Sequence, residues 1–203
     1  MTTILRLGKQ QRRQAYIFAL LMTAWCFMAG TAAAQTRYYV TPTGLVPTGM
    51  DNAWTDVIKL ETALEKAEPG DEIWVQGFEE IRKNSVDYRQ VYLAPKEGWT
   101  LKAGVKLYGG FKGNETSLEQ RATLGKAYNF ACRSILSGDI SMNDTIDHVN
   151  LISSSNALRS DNAEHVLTMN LNNSVANNIN DAVSVLDGFT IVGGHASVNG
   201  GGV

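Results

Sequence analysis

Glycine and long polar gaps dominate the chain after residue 70. The apolar runs are short: "DEIWVQG" (71–77), "QVYLA" (90–94), "GVKLYGGF" (104–111), "RSILSGDI" (133–140), "EHVLTMN" (164–170) and "VLDGFTIVGG" (185–194). Antiparallel neighbours need tight two-residue turns, and such signals are scarce here. Long connections suit strands that return parallel to one another, so an antiparallel β-sandwich is disfavoured although it too uses many short strands. The leucines Leu107, Leu136, Leu167 and Leu186 recur at separations of 29, 31 and 19 residues. A solenoid whose loops absorb insertions produces a loose period of this kind. Between the runs, "SMNDTIDHVN" (141–150) and "LNNSVANNIN" (171–180) are polar and asparagine-rich, as surface loops or turn-stacking ladders are.

The preceding segment is organised differently. "RYYVT" (37–41) predicts a strand, and the breaker-rich "PTGLVPTGMDN" (42–52) predicts a loop. A helix is then predicted over 53–68, because Trp54, Val57, Leu60, Leu64 and Ala67 recur at intervals of three and four and share one face. Asn52 is the expected N-cap, Asp56 lies in the positive first turn, and Pro69-Gly70 ends the helix. Lys59, Glu61, Glu65 and Lys66 occupy the other side, so the helix packs by one face only.

Residues 1–34 have the layout of a secretory signal. Arg6, Lys9, Arg12 and Arg13 form a basic start, "AYIFALLMTAWCFMAG" (15–30) is apolar, and Ala32 and Ala34 supply the small-x-small pattern before a cut ahead of Gln35. The apolar stretch is about 15 residues, short of the roughly 20 that a spanning helix needs. Trp25 precedes Cys26 where a lipoprotein signal wants a small residue, which argues against lipidation. Cleavage leaves 169 residues, enough for one domain with its own core. It removes four basic residues and leaves 14 basic against 20 acidic, a balance of −6 that speaks against nucleic acid or an anionic membrane as partner. Cys132 is then the one remaining cysteine, so no internal disulfide forms and packing must hold the fold.

Several blocks in order, "PGDEIWV" (69–75), "LKAGVKLYGGFKGNETSLEQR" (101–121), "SILSGDI" (134–140), "HVL" (165–167), "LDGFTIVGGHA" (186–196) and "NGGGV" (199–203), carry a resemblance. The chain resembles the amino-terminal part of secreted Bacteroidetes-type right-handed parallel β-helix proteins, pectin-lyase-like, with repeats related to the polymorphic outer-membrane proteins. The resemblance implies an all-β right-handed parallel β-helix of few rungs with an N-terminal capping α-helix. Its parts would be a signal peptide (1–34), an N-terminal strand and capping helix (35–70) and the first rungs (71–203). It also implies further rungs after "GGGV". On that expectation the coil is truncated at its C-terminus, and its open rung would associate with a partner or with further strands. The implied function is a secreted, outer-membrane or cell-surface scaffold, non-catalytic, for adhesion or for binding a polysaccharide or host ligand. The alternatives are the start of a polysaccharide lyase or glycosidase with its active site beyond residue 203, and a remnant without independent function.

Lyase chemistry needs acids to hold calcium against a uronate and a Lys or Arg to take the proton. Asp139, Asp144, Asp147 and His148 are the nearest candidates, but their spacing fits no calcium loop and predicts a solvated loop. His165 and His195 lack partners at metal-ligand spacing. Gly109, Gly110, Gly193 and Gly194 are expected at rung corners, for positive φ or close packing. Tyr88, Tyr92, Trp99 and Tyr108 could stack on sugars if exposed, with core packing the plainer role. No catalytic, cofactor-binding or metal residue is assigned, and no cofactor is expected. The feature that would favour an enzyme, acids plus Lys or Arg on one outward sheet face, is not evident in the rungs read from sequence.

Overall fold

The computed structural model describes residues 34–46, 54–78, 91–125, 129–144, 158–170 and 183–196. Contacts divide the chain between Ala34 and Gln35, and every element below belongs to the unit Gln35–Val203. Among the described residues, ten strands and one short α-helix make it β-rich: β1 Arg37–Val40, β2 Val57–Ile58, α1 Leu60–Lys66, β3 Glu72–Gln76, β4 Val91–Leu93, β5 Trp99–Lys102, β6 Lys106–Phe111, β7 Ser134–Ser137, β8 Leu167–Asn170, β9 Val185–Asp187 and β10 Phe189–Val192.

The ladders between these strands are parallel throughout. They form a five-stranded sheet in the order β2-β1-β3-β6-β9, a three-stranded sheet β10-β7-β4 and a two-stranded sheet β5-β8. Along the chain, β3, β4 and β5 enter the large, middle and small sheets in turn. The next three strands repeat that order, and β9 and β10 begin it again. Three successive connections thus bring the chain back to the sheet it left, with no hairpin between neighbouring strands of one sheet.

The leucine spacing has a different basis from a single repeat. Leu107 pairs with Ile73 and Leu186 in the large sheet, Leu136 with Tyr92 and Ile191 in the middle one, and Leu167 with Trp99 in the small one. The four leucines belong to three different sheets, so their three separations are three different steps, large to middle, middle to small and small to large. All three sheets turn one face to a common core, which holds Val40, Ile73, Val75, Tyr92, Leu101, Leu107, Leu136 and Leu167. Each such aliphatic side chain contributes about 1.5–3 kcal/mol by leaving water.

The large sheet is covered on both faces. Val40, Ile73, Val75 and Leu107 point into the common core, while Tyr39, Trp74, Phe111 and Tyr108 join Trp54 and Val57 in a second cluster on the outer side. All five residues of β3 are buried as a result, the pattern expected of a parallel strand sandwiched between two layers.

The predicted helix over 53–68 is more than twice as long as the one observed. Its N-cap is Lys59 in extended conformation, and the helix runs only from Leu60 to Lys66; Asn52 lies outside the described residues. The first half of the segment contains Trp54, Thr55, Val57 and Ile58, residues whose branched or aromatic side chains lose rotamer freedom in a helix. Val57 and Ile58 instead add a strand beside Tyr39 and Val40. Pairing along an open sheet edge outweighs a helical period carried by such residues. The helix that remains buries Leu60, Ala63 and Leu64 in the common core, whereas Trp54 packs on the outer side with Trp74 and Phe111. Strand β5 was not among the sequence-predicted runs, since "WTLK" has only two apolar positions, both buried.

Candidate functional site

Strand alternation sends every second side chain of the large sheet outward, and parallel register stacks those side chains in rows. One row runs Arg37, Glu72, Lys106, Val185; the next runs Tyr39, Trp74, Tyr108, Asp187. The outer face therefore collects two carboxylates, two cations and two phenols from four strands.

The two carboxylates are held in different ways. Oε2 of Glu72 lies 3.2 Å from Nη2 of Arg37 and accepts the indole N–H of Trp74 at 3.0 Å. The Arg37 guanidinium also lies over the Trp74 ring, 3.9 Å from its centre, and Trp74 in turn stacks on Phe111 at 4.5 Å. Asp187 pairs with Arg121, whose Nη2 is 2.8 Å from Oδ2. Arg121 comes from the segment after β6, just past a 3-10 turn at Leu118–Gln120 with a Ser117–Gln120 capping box. Its guanidinium sits 4.4 Å from the Phe130 ring centre.

Tyr108 lies between these pairs. Partial burial pushes its phenol above the ordinary value, the negative charges of Glu72 and Asp187 push it further, and Arg121 opposes them. A neutral phenol at neutral pH is a donor and acceptor, not a base. Lys106 is half-buried beside Glu72 in the row and makes no ion pair among the described residues. This face offers hydrogen-bond donors and acceptors, one unpaired ammonium and the ring of Tyr108.

None of Arg37, Glu72, Lys106, Arg121 and Asp187 was singled out from sequence, because they are far apart along the chain and meet only through register. Aligning "RYYV", "EIWV", "KLYG" and "VLDG" would have shown the two columns. Acids and bases do share an outward face, contrary to the sequence reading.

The residues that were singled out fall elsewhere. Asp139 is fully buried and Asp144 is 6% exposed, so the expected solvated loop fails at both. Oδ1 and Oδ2 of Asp139 accept the backbone N–H groups of Asn143 and Asp144 at 3.1 and 3.2 Å. Burial raises the Asp139 carboxyl above its usual value, the two backbone donors oppose this, and Asp144 and Asp161 add to the rise. Asp147, His148 and Tyr88 lie outside the described residues. Tyr92 is in the common core, its hydroxyl donating to the Gln76 carbonyl at 2.9 Å, and Trp99 is in the same core. Of the three described members of that set, Tyr92, Trp99 and Tyr108, only Tyr108 reaches the outer face. His165 and His195 are half-buried; the His195 backbone N–H donates to the Ala163 carbonyl. Gly110 and Gly193 adopt positive φ as expected, and Gly109 lies against the backbone of Gly188. Among the described residues no three Asp, Glu, His or Cys side chains gather as metal ligands do, and no helix is long and apolar enough to cross a membrane. No family model, no curated protein and no solved structure matches the chain.

Proposed function

We propose that the chain is an exported right-handed parallel β-helix module that binds polysaccharide, without catalysis, through the outer face of its five-stranded sheet. The recurrent entry of successive strands into three parallel sheets supports the coil, and α1 with β2 would close its first turn. The signal-like layout of residues 1–34 supports export. On this reading the sheets are scaffold and the outer rows are the contact surface.

The binding assignment rests on one observation: each carboxylate of the outer face is ion-paired with an arginine, Glu72 with Arg37 and Asp187 with Arg121. Paired, planar polar groups beside a tyrosine ring suit the hydroxyl-rich edge of a sugar. A general base would need a carboxylate free to take a proton. The test is affinity electrophoresis of the secreted chain through gels containing neutral or acidic polysaccharide. Retardation by at least one of them, lost in Lys106→Ala, supports the reading, and free migration through all of them sinks it.

A second reading, the polysaccharide lyase, is favoured by Lys106 and Tyr108 standing beside two acids on one face. Incubation with polygalacturonate and calcium, followed by unsaturated-product absorbance, separates the two. Product formed by the chain alone would replace binding with catalysis.

A further inference from the structure

The small-x-small pattern puts the expected cut between Ala34 and Gln35, which is also where the contacts divide the chain. Order begins one residue later. The Thr36 N–H donates to Asp71 Oδ1 at 2.8 Å, and the Thr36 carbonyl accepts the Glu72 N–H at 2.9 Å. Asp71 is 8% exposed, and its other oxygen accepts the Glu68 N–H at 2.9 Å. One carboxylate therefore joins the residue ahead of β1 to the turn between α1 and β3. Gln35 stands just outside this lock. It is exposed, and its side chain makes no hydrogen bond among the described residues.

We propose that Gln35 is a modification site, at which the N-terminus freed by export cyclises to pyroglutamate. The site rests on the export reading of residues 1–34 given above. The α-amino nitrogen attacks the side-chain carbonyl carbon of the same residue. A new C–N bond closes a pyrrolidone ring, the bond to the amide nitrogen breaks, and that nitrogen leaves as ammonia with the proton given up by the amine. No oxidant, reductant or second substrate takes part.

The placement of Gln35 meets the demands of this step. The attacking amine must be neutral, and an α-amino group with a pKa of about 7.7–8.0 keeps a neutral fraction near physiological pH. Nucleophile and carbonyl belong to one residue, so no encounter is needed. The side chain must fold back over its own amine, and exposure together with an unpartnered amide leaves Gln35 free to do so. Thr36, one residue on, is held at both its N–H and its carbonyl.

The product is a lactam without an α-ammonium, so the terminal charge that an aminopeptidase engages is gone. Loss of Gln35 and then Thr36 would remove the donor held by Asp71 Oδ1 and leave an oxygen of a nearly buried carboxylate unmatched. Cyclisation thus protects the tie between β1 and the turn that follows α1.

The experiment is export of the full chain from a bacterial host, with the harvested protein read by intact mass and by stepwise N-terminal degradation. The expected mass is that of residues 35–203 less one ammonia. Degradation should be blocked until pyroglutamyl aminopeptidase is added, and should then read Thr-Arg-Tyr-Tyr. Gln35→Ala should read Ala-Thr-Arg-Tyr at once, with no missing ammonia, and a broad-specificity aminopeptidase should shorten it while leaving the parent intact. A parent that reads Gln-Thr-Arg-Tyr at full mass keeps the export cut and overturns the cyclisation. Equal behaviour of parent and variant toward the aminopeptidase overturns the protective role. A chain that begins at any other residue overturns the cut, and the site falls with it.

Discussion

Arg121 clamps Asp187 and Gly109 together: Nη2 lies 2.8 Å from the Asp187 carboxylate while Nη1 donates to the Gly109 carbonyl at 2.9 Å. The arginine side chain is 9% exposed and the aspartate 23%. A residue in the loop after β6 thus fixes β6 to β9, the two strands that adjoin at that edge of the large sheet.

Removing one partner of so enclosed a pair leaves the other poorly solvated, which costs about 3–5 kcal/mol. Arg121→Ala also forfeits the contact with Phe130. We expect it to lower unfolding stability by about 3 kcal/mol, and Asp187→Asn, which keeps an acceptor, by about 1 kcal/mol. Urea unfolding at low and high salt checks this. Equal small losses that vanish in salt would mark an ordinary surface pair.

Gly188 joins β9 to β10 at φ +81°, and a Cβ there would meet the Gly109 carbonyl oxygen at 2.5 Å. Gly125 has φ +74° with open space around it. Gly125→Ala should cost only the left-handed backbone penalty, about 1–2 kcal/mol. Gly188→Ala adds a collision with main chain, so its loss of stability should exceed that of Gly125→Ala by at least about 1 kcal/mol. Paired thermal melts decide the order.

Much of this fold is legible in the sequence because parallel strands covered on one or both faces leave short apolar runs. "DEIWVQG", "GVKLYGGF" and "RSILSGDI" contain β3, β6 and β7 within their bounds. Two kinds of fact are not legible. The fate of Val57 and Ile58 depends on the free edge of β1, which no local period reports. The outer face of the large sheet depends on register, which places Lys106 against Glu72 and Asp187 against Tyr108 across long loops. Asp139 misled for a third reason: a polar, asparagine-rich segment looks solvated until its backbone N–H groups turn inward and take a carboxylate with them.

That inward carboxylate has a consequence for pH. Asp139 has a folded pKa raised above its ordinary 3.8, burial being the main cause. The native state then binds the proton more readily than the unfolded chain, so this group favours folding as pH falls through the raised value toward about 4, and disfavours it above. Asp161 works oppositely. Its pKa is lowered, chiefly by a hydrogen bond from Ser141, so its contribution is full above the ordinary value and is lost as pH falls through the lowered one. We expect the stability of the parent relative to Asp139→Asn to rise as pH is taken from 7 to about 4, and then to level off. Urea unfolding at several pH values measures that difference. A difference independent of pH would show that Asp139 titrates alike in both states.

Lys106 and Tyr108 face outward from one strand, and substitutions at them separate binding from stability. Neither belongs to the common core, and Lys106 makes no ion pair among the described residues. Lys106→Ala should therefore leave unfolding within about 0.5 kcal/mol of the parent. Tyr108→Phe keeps the ring beside Arg121 and loses only the hydroxyl, so it should also fold normally. If the outer rows bind sugar, each variant should weaken polysaccharide retention, the lysine by removing a charged donor worth about 1.5–3 kcal/mol, roughly tenfold or more in affinity. Acidic polysaccharide should be affected more than neutral by the lysine change, and both alike by the tyrosine change. Wild-type retention in both stable variants would move the contact surface away from Lys106 and Tyr108 and sink the assignment made here.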